Sequence, residues 1–388
     1  MFRKLLSVVA GAAMLVTAAP ASAEISPVQA ALDAAIAAGN PGMLAVATDF
    51  RGAAGVADIH REGEPDPAGR FRIASVSKSF TATIVLQLAA EHELGLDDLI
   101  DDHLPGLLPY RKPITIRQLL QHTSGIPRDL PPGPKWDGPE DLATERFSSF
   151  TPAEMVRLST TQPMLFEPGA GWFYSNTGYT VLAMLIEKIT GRPFEFALRD
   201  RLTRPLDLRD TSLVRDFPLL PRPAARGYEQ SFPEPAPMTD LTEYNLSRYF
   251  GSGSLISSAT DVNTFFHALL GGELLPPDLL AQMKTTTPGI DPVTGQYAGY
   301  DYGLGLMRLP LRPFCGTDQV VWGHGGDVPG YNTWSATTER ADRQITTMAN
   351  RDFTTPQEGI VARLMPMVSE FCTPTTTPKI AISAGQLS

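Results

Sequence analysis

Strand-like segments near both ends of the chain enclose a long helical middle, and this order is the strongest constraint on the fold. Residues 42–50 and 53–60 are two short apolar runs joined by Arg51-Gly52, a pattern typical of a strand pair. Further strand-like runs lie between about residues 302 and 351. Both sets need partners for their backbone groups, so the sequence predicts one sheet assembled from the two termini.

The middle of the chain, from about residue 97 to residue 280, predicts a mainly helical lobe inserted into this sheet domain. Apolar residues recur there at spacings of three and four, most clearly in "TIRQLLQHTSGIP", "TGYTVLAMLIEKITG" and "DVNTFFHALLGG". Helices are also expected near both ends, where they would flank the sheet. Binding sites favour clefts between such layers, so a site is expected between the sheet and the lobe.

Composition excludes several classes of function. The 388 residues carry a formal net charge of −10 without a cluster of Lys and Arg, and such a surface repels the phosphates of nucleic acids. Six His and two Cys are scattered without the spacing of metal ligands, so neither a metal nor another cofactor is expected. The protein is expected to be a monomer.

The first 23 residues have the pattern of a secretory signal. Arg3 and Lys4 precede a short apolar run, 5–15, and Ala21-Ser22-Ala23 matches a signal-peptidase site. The apolar run is too short to span a bilayer, which disfavours the alternative of an N-terminal anchor. The sequence therefore predicts a secreted protein, cleaved after Ala23 and without a stable membrane anchor.

One domain is expected over residues 24–375, followed by a flexible tail at 376–388. An even number of cysteines in an exported chain favours a disulfide. Cys315 and Cys372 would close a loop of 57 positions (372 − 315), and loop entropy predicts a stabilisation of about 4 kcal/mol. Two separate buried thiols are the alternative.

The stretch "SVSK" contains the candidate nucleophile, Ser75, and Lys78 three residues later. One helical turn would place both on the same face at the start of a strongly apolar helix. Burial there would favour the neutral amine, which can accept the hydroxyl proton. By itself the pair is a weak signal, and an ordinary polar helix start is the alternative.

Two further short motifs strengthen the catalytic interpretation. "YSN" places Tyr174 and Asn176 just before a predicted helix, and "HGG" places His324 on a strand-like run before two glycines. The order of the three motifs resembles that of the penicillin-recognising serine hydrolases, which include class C β-lactamases, soluble D,D-carboxypeptidases, D-aminopeptidases and related esterases. The resemblance covers residues 33–372 and is strongest to the secreted actinobacterial-type D,D-carboxypeptidases.

This resemblance implies a β-lactamase/transpeptidase-like α+β fold, with an antiparallel sheet flanked by helices. It implies that Ser75 forms an acyl-enzyme while Lys78 and Tyr174 share the proton transfers. Asn176 would orient the substrate and Lys78, and His324 would lie above the Tyr174 oxygen. Which of Lys78 and Tyr174 is the general base stays open at this point.

The family pattern also assigns a binding region along the third motif. The backbone N–H groups of Ser75 and Asp327 would form the oxyanion hole. Gly325, Gly326 and Arg308 are the candidate substrate-binding residues.

The binding region departs from the carboxypeptidase pattern. Family carboxypeptidases hold the substrate carboxylate with hydroxyls one and three places after the third-motif His, and here Gly325 and Asp327 occupy those places. An anionic Asp327 about 4 Å from that carboxylate would repel it by about 4 kcal/mol at an effective dielectric constant of about 20. Met307 occupies the position where the family pattern has an arginine, and Arg308 lies one place further along the chain. A one-residue shift on a strand turns the side chain to the other face of the sheet.

The sequence therefore predicts a secreted serine hydrolase of D-configured peptides, similar to D-alanyl-D-alanine carboxypeptidases, with small peptides or muropeptides as substrates and β-lactams as covalent inhibitors. The altered pocket suggests that D-amino-acid amides or esters are better substrates than peptide acids. A D-aminopeptidase or amidase, an esterase, and a transpeptidase or cyclase are the enzymatic alternatives. A non-catalytic penicillin-binding sensor is the alternative from another class.

Overall fold

The computed structural model describes residues 25–129, 146–213, 215–230, 237–352 and 357–372. The predicted signal at 1–23 and the predicted tail at 376–388 lie outside these ranges. Within the described residues, no helix is both long and apolar enough to cross a bilayer.

Strands from both ends of the chain form one antiparallel eight-stranded sheet. The strands of the structure are β1 Gly42–Ala47, β2 Arg51–Gly55, β3 Arg70–Arg72, β4 Ser212–Leu213, β5 Tyr228–Gln230, β6 Met238–Asp240, β7 Leu255–Ser258, β8 Thr287–Ile290, β9 Tyr297–Tyr302, β10 Met307–Pro310, β11 Val320–Val328, β12 Tyr331–Thr338 and β13 Gln344–Ala349. Their order in the large sheet is β2-β1-β13-β12-β11-β10-β9-β8. The N-terminal strand β1 pairs with β13, with Met43 opposite Ala349. The prediction of one sheet built from both termini is confirmed.

Helices flank this sheet and fill the middle of the chain. They are α1 Pro27–Ala37, α2 Ser77–Ala90, α3 Ile100–His103, α4 Ile116–Leu120, α5 Pro152–Ser159, α6 Asn176–Thr190, α7 Phe194–Leu198, α8 Ala259–Leu270, α9 Pro277–Met283, α10 Arg312–Cys315, α11 Gln357–Ala362 and α12 Met365–Phe371. The described middle is not purely helical, because β3, β7 and β4 form a small sheet and β5 pairs with β6.

Two apolar clusters lie on opposite faces of the large sheet. One face is covered by α1 and α12, which pack against each other and against residues such as Ala45 and Ile345. The other face receives α8 and the helical lobe, where Leu44 and Met348 join the larger cluster. Alternate residues of β1 thus enter different clusters, as the two-residue period of a strand requires.

Helix α2 runs through the centre of the larger cluster. Nearly all of its residues are buried, including the polar ones. Because the helix is buried on every side, its apolar residues are not confined to one stripe. Its polar side chains are satisfied by neighbouring backbone: Ser79 Oγ donates to the Gly305 carbonyl at 2.7 Å and Thr81 Oγ1 to the Gly251 carbonyl at 2.7 Å. The helix therefore fixes its own N-terminal turn rigidly against the sheet.

Cys315 and Cys372 form a disulfide, as predicted, with their Cα atoms 6.0 Å apart. The bond joins the end of α10 to the residue after α12. It therefore links the C-terminal helix to the connection between β10 and β11.

Candidate active site

Ser75 lies in a single 3₁₀ turn, Ala74–Val76, and α2 begins two residues later. Ala74 has a φ of +49°, a left-handed conformation that is strained for a residue with a Cβ atom. Strained backbone of this kind persists only where the surroundings hold it. Here β11 and β12 pack against the turn and hold the serine at the start of the helix.

Lys78 makes three close contacts with its amine. Its Nζ lies 3.0 Å from Ser75 Oγ, 2.6 Å from Asn176 Oδ1 and 2.9 Å from the carbonyl oxygen of Ser252. The side chain is fully buried. The predicted Ser75–Lys78 contact is therefore present, and the residues come from the turn, α2, α6 and the segment before β7.

Burial lowers the pKa of Lys78 well below its usual value of 10.5, and the nearby negative charge of Asp129 offsets this only in part. A neutral amine has two N–H groups and one lone pair. The amide oxygen of Asn176 and the carbonyl of Ser252 can only accept, so they take both N–H groups. The lone pair then faces Ser75 Oγ and can receive its proton.

The Tyr174 phenol lies close enough to the Ser75 hydroxyl for the two groups to interact. Burial raises the pKa of this phenol well above 10, so it keeps its proton at neutral pH. Lys78 Nζ also lies 4.7 Å from the centre of the Tyr174 ring. Ser75 thus has the Lys78 amine and the Tyr174 phenol as neighbours.

Asn176 is fixed at the first position of α6, whose N-cap is Ser175. Its Nδ2 donates to both carboxylate oxygens of Asp129, at 2.9 and 3.0 Å. Because Nδ2 is committed to the carboxylate, Oδ1 must face Lys78. Asp129 therefore orients the amide, a role that the sequence did not reveal because a lone Asp in a loop carries no motif.

His324 is buried on β11, and its hydrogen-bond partner differs from the expected one. Its Nδ1 donates to the Gly325 carbonyl at 2.5 Å, so its Nε2 accepts from the Tyr302 hydroxyl at 2.9 Å. The Tyr174 and His324 rings are 6.3 Å apart between their centres. Burial lowers the pKa of His324 to about 3, so the imidazole is neutral.

His122 contacts the residues of the second motif. Its Nδ1 accepts the backbone N–H of Ser175 at 3.1 Å, and its ring centre lies 4.3 Å from that of Tyr174 and 4.5 Å from that of Tyr302. Burial lowers the pKa of His122 well below 6.5. A neutral ring is required, because a protonated Nδ1 would have no lone pair for Ser175.

The two glycines of the third motif face opposite sides of β11. A Cβ atom on Gly326 would lie 2.5 Å from the Ile73 carbonyl oxygen and 2.8 Å from Ser75 N, whereas one on Gly325 would meet the Trp334 ring at 2.8 Å. Only glycine at position 326 lets the strand approach the nucleophile turn this closely.

The Asp327 carboxyl and Arg308 both have protein partners. Asp327 is 7% exposed, accepts a hydrogen bond from Asn332 and lies 3.9 Å from the Arg363 guanidinium. Its predicted repulsion of a substrate carboxylate is therefore weakened by a neighbouring cation. Arg308 pairs with Asp301 at 3.1 Å in a regular β9–β10 register, so no bulge redirects it.

The site as a whole is built for attack by a serine hydroxyl on a carbonyl carbon. Residues 27–365 match the protein-family model described as Beta-lactamase. The chain belongs to the beta-lactamase family. The predicted family and the predicted β-lactamase/transpeptidase-like fold are confirmed.

Curated relatives of this beta-lactamase-family chain include penicillin-binding proteins. It is 32% identical over 267 residues to penicillin-binding protein 4 of Amycolatopsis lactamdurans, covering 65% of this chain and 66% of that protein. It is 29% identical over 277 residues to penicillin-binding protein 4* of Bacillus subtilis, covering 68% of this chain and 56% of that protein. The chain thus spans between about half and two thirds of the length of these relatives.

Solved structures resemble the beta-lactamase-family chain over nearly their whole length. A D-stereospecific amidohydrolase from Streptomyces sp. is 34% identical with a TM-score of 0.75, covering 89% of this chain and 98% of that one. The D-amino acid amidase from Ochrobactrum anthropi SV3 is 25% identical with a TM-score of 0.73, covering 88% and 97%. The chain thus groups with the penicillin-binding proteins and β-lactamases.

Proposed function

We propose that this protein hydrolyses D-configured amides and esters through an acyl-enzyme on Ser75. The observation that carries the proposal is the fully buried Lys78 amine, whose Nζ lies 3.0 Å from Ser75 Oγ and also contacts Asn176 Oδ1 and the Ser252 carbonyl oxygen. A binding module would not need a buried, uncharged lysine at this point. The arrangement therefore favours an enzyme over a penicillin-binding sensor.

In the proposed acylation, Ser75 Oγ attacks the substrate carbonyl as its proton moves to Lys78 Nζ. The carbonyl electron pair moves to the oxygen, which the backbone N–H groups of Ser75 and Asp327 are proposed to stabilise. Collapse of this intermediate expels the amine or alcohol, which takes a proton from Tyr174, and Lys78 returns its proton to Tyr174. Water then attacks the ester by the same route in reverse, which regenerates the hydroxyl.

The pocket supports amides and esters as the substrate class. Gly325 offers no hydroxyl, the Asp327 carboxyl is held by Asn332 and Arg363, and Arg308 is paired with Asp301. None of these groups supplies the donors that would fix a substrate carboxylate. The names of the structural relatives, a D-stereospecific amidohydrolase and a D-amino acid amidase, agree with this class.

A second candidate is D-alanyl-D-alanine carboxypeptidase activity on peptides or muropeptides. It is favoured by the relationship to penicillin-binding proteins, which also supports β-lactams as covalent inhibitors.

Secretion after cleavage behind Ala23 belongs to the same proposal, since cell-wall peptides lie outside the membrane. Edman sequencing of the exported protein would test it by finding Glu24 as the first residue.

The decisive experiment compares kcat/KM for a D-Ala-D-Ala peptide, its C-terminal amide, its methyl ester and the L-configured amide. We expect the D-amide and the ester to exceed the acid at least tenfold, and the L-amide to be the poorest substrate. Ser75→Ala should abolish both turnover and covalent labelling by a fluorescent penicillin. A strong preference for the acid would establish the carboxypeptidase instead.

A further inference from the structure

Two buried carboxyl groups lie side by side behind the end of β11. Asp327 belongs to this strand, and Asp352 follows β13 by three residues. Their side chains are 7% and 2% exposed, and the Asn332 amide donates to Oδ1 of both, with Asp352 Oδ1 at 3.5 Å. Two buried carboxyl groups that share one amide donor repel each other when both are ionised, so one of them retains a proton.

The charges around the pair favour one retained proton. Arg363, in the turn between α11 and α12, contacts Asp352 Oδ1 at 3.0 Å and Asp327 Oδ1 at 3.9 Å. Glu229 adds a further negative charge near Asp352, and Arg128 a positive charge on the active-site side of Asp327. A single guanidinium in contact with two acids balances one negative charge and leaves the other to be neutralised by a proton.

The proton has a defined place. Within the described ranges, Asp352 Oδ2 is buried and receives no hydrogen bond, whereas its Oδ1 is bonded to Arg363. A proton on Oδ2 gives this buried oxygen a neutral O–H in place of an unsatisfied anionic acceptor. Burial, and then the charge of Asp327, raise the pKa of Asp352 well above 3.8.

The pair is directly joined to the proposed oxyanion hole. Asp327 follows Gly326, the residue that packs against the Ser75 turn, and stands opposite Asn332 on β12. Asp327 therefore carries both the side chain that contacts the pair's partners and the backbone N–H that would meet the substrate oxygen. Small displacements of such donors lower catalysis strongly.

We infer that protonated Asp352 and Arg363 form a clamp on the Asp327 side chain, and that this clamp positions the end of β11 for catalysis. The inference rests on the proposed function for its catalytic consequence. Loss of the Asp352 proton places two anions on one guanidinium, and their repulsion displaces Asp327. Asp352 and Arg363 are thus positioning residues that make activity sensitive to rising pH.

The test follows the Asp327 backbone amide by ¹H–¹⁵N NMR from about pH 5 to about pH 9, beside kcat and KM for a D-amide. In the wild type we expect the amide shift to change in one step above the ordinary carboxyl range, and kcat to fall at least about threefold across that step while KM changes less. Asp352→Asn keeps the size and donates permanently through its amide, so it should lose the step and keep its kcat. Asp318→Asn, at an exposed carboxylate, should behave as the wild type.

A second variant tests the sign of the effect. Arg363 favours the anionic form of Asp352, so Arg363→Gln should move the amide step to higher pH by about one unit or more. Superimposable amide titrations of wild type and Asp352→Asn would overturn the clamp, as would the absence of any step in the wild type. If no D-amide or ester is turned over, the proposed function fails, and the amide titrations still decide whether the clamp exists.

Discussion

The position of Lys78 in the fold changes the charge that its amine carries. Its amine is fully buried and contacts three oxygen atoms, and burial favours the uncharged form by lowering the pKa well below 10.5. An arginine in the same place would stay charged, because its pKa lies far above that of any buried lysine. The chemistry of the site therefore depends on a group that can lose its charge.

We expect Lys78→Arg to lower kcat by about a thousandfold, because general-base catalysis typically contributes between about a hundredfold and ten-thousandfold. Acylation should slow while the protein stays folded. Stopped-flow measurement of the acyl-enzyme formed from a D-amide and from a fluorescent penicillin tests this. Lys188→Arg, at an exposed position of α6, is the matched control, and retention of activity in Lys78→Arg would show that the base lies elsewhere.

The pH dependence of activity should report Lys78 rather than His324. Because burial lowers the pKa of Lys78, kcat/KM should fall as the pH drops through that pKa and the amine becomes charged. The pKa of His324 is about 3, so its imidazole is already neutral above this range. We expect His324→Gln to lower kcat but leave the apparent pKa of the acidic limb unchanged. A limb that disappears in His324→Gln would assign it to the histidine.

At the scale of secondary-structure elements, the close approach of β11 to the nucleophile turn brings together residues that are about 250 positions apart in sequence (326 − 75 = 251). The approach depends on the missing Cβ atom of Gly326, not on a side-chain contact. The element that supplies the nucleophile and the element proposed to supply the oxyanion donor are thus positioned by backbone packing.

Gly326→Ala should therefore lower kcat by about a hundredfold or more and destabilise the fold by about 1–3 kcal/mol, since its Cβ would meet backbone atoms at 2.5 and 2.8 Å. Gly178→Ala in α6 is the control, because a Cβ there has only ordinary contacts at 3.6 Å or more. Urea unfolding and D-amide turnover would be measured for both variants. Equal effects of the two substitutions would contradict the packing argument.

The same elements show how far the sequence determines the site. Ser75, Lys78, Tyr174, Asn176 and His324 lie in short motifs, so they can be predicted, and the structure brings all five together. The residues that orient them were not predicted: Asp129 and Tyr302 contact the motifs only after folding, and Ser252 acts through its carbonyl. A backbone acceptor has no sequence signature. The small sheets in the middle of the chain were not predicted either, because their strands are only two to four residues long.

For the whole molecule, the disulfide is the covalent link across the C-terminal region. Reducing it, or replacing Cys315 and Cys372 by Ala, should lower the free energy of unfolding by about 4 kcal/mol, because a 57-position loop is released in the unfolded chain. Urea unfolding with and without dithiothreitol measures the difference. The double variant should be insensitive to the reductant, and an unchanged midpoint in the reduced wild type would contradict the prediction.

The pairing of β1 with β13 also sets the order of assembly. Met43 pairs with Ala349, so the central sheet cannot close until residue 349 has been synthesised. The same delay leaves the early apolar strands uncovered for longer, so rapid overproduction should increase their demand on holding chaperones.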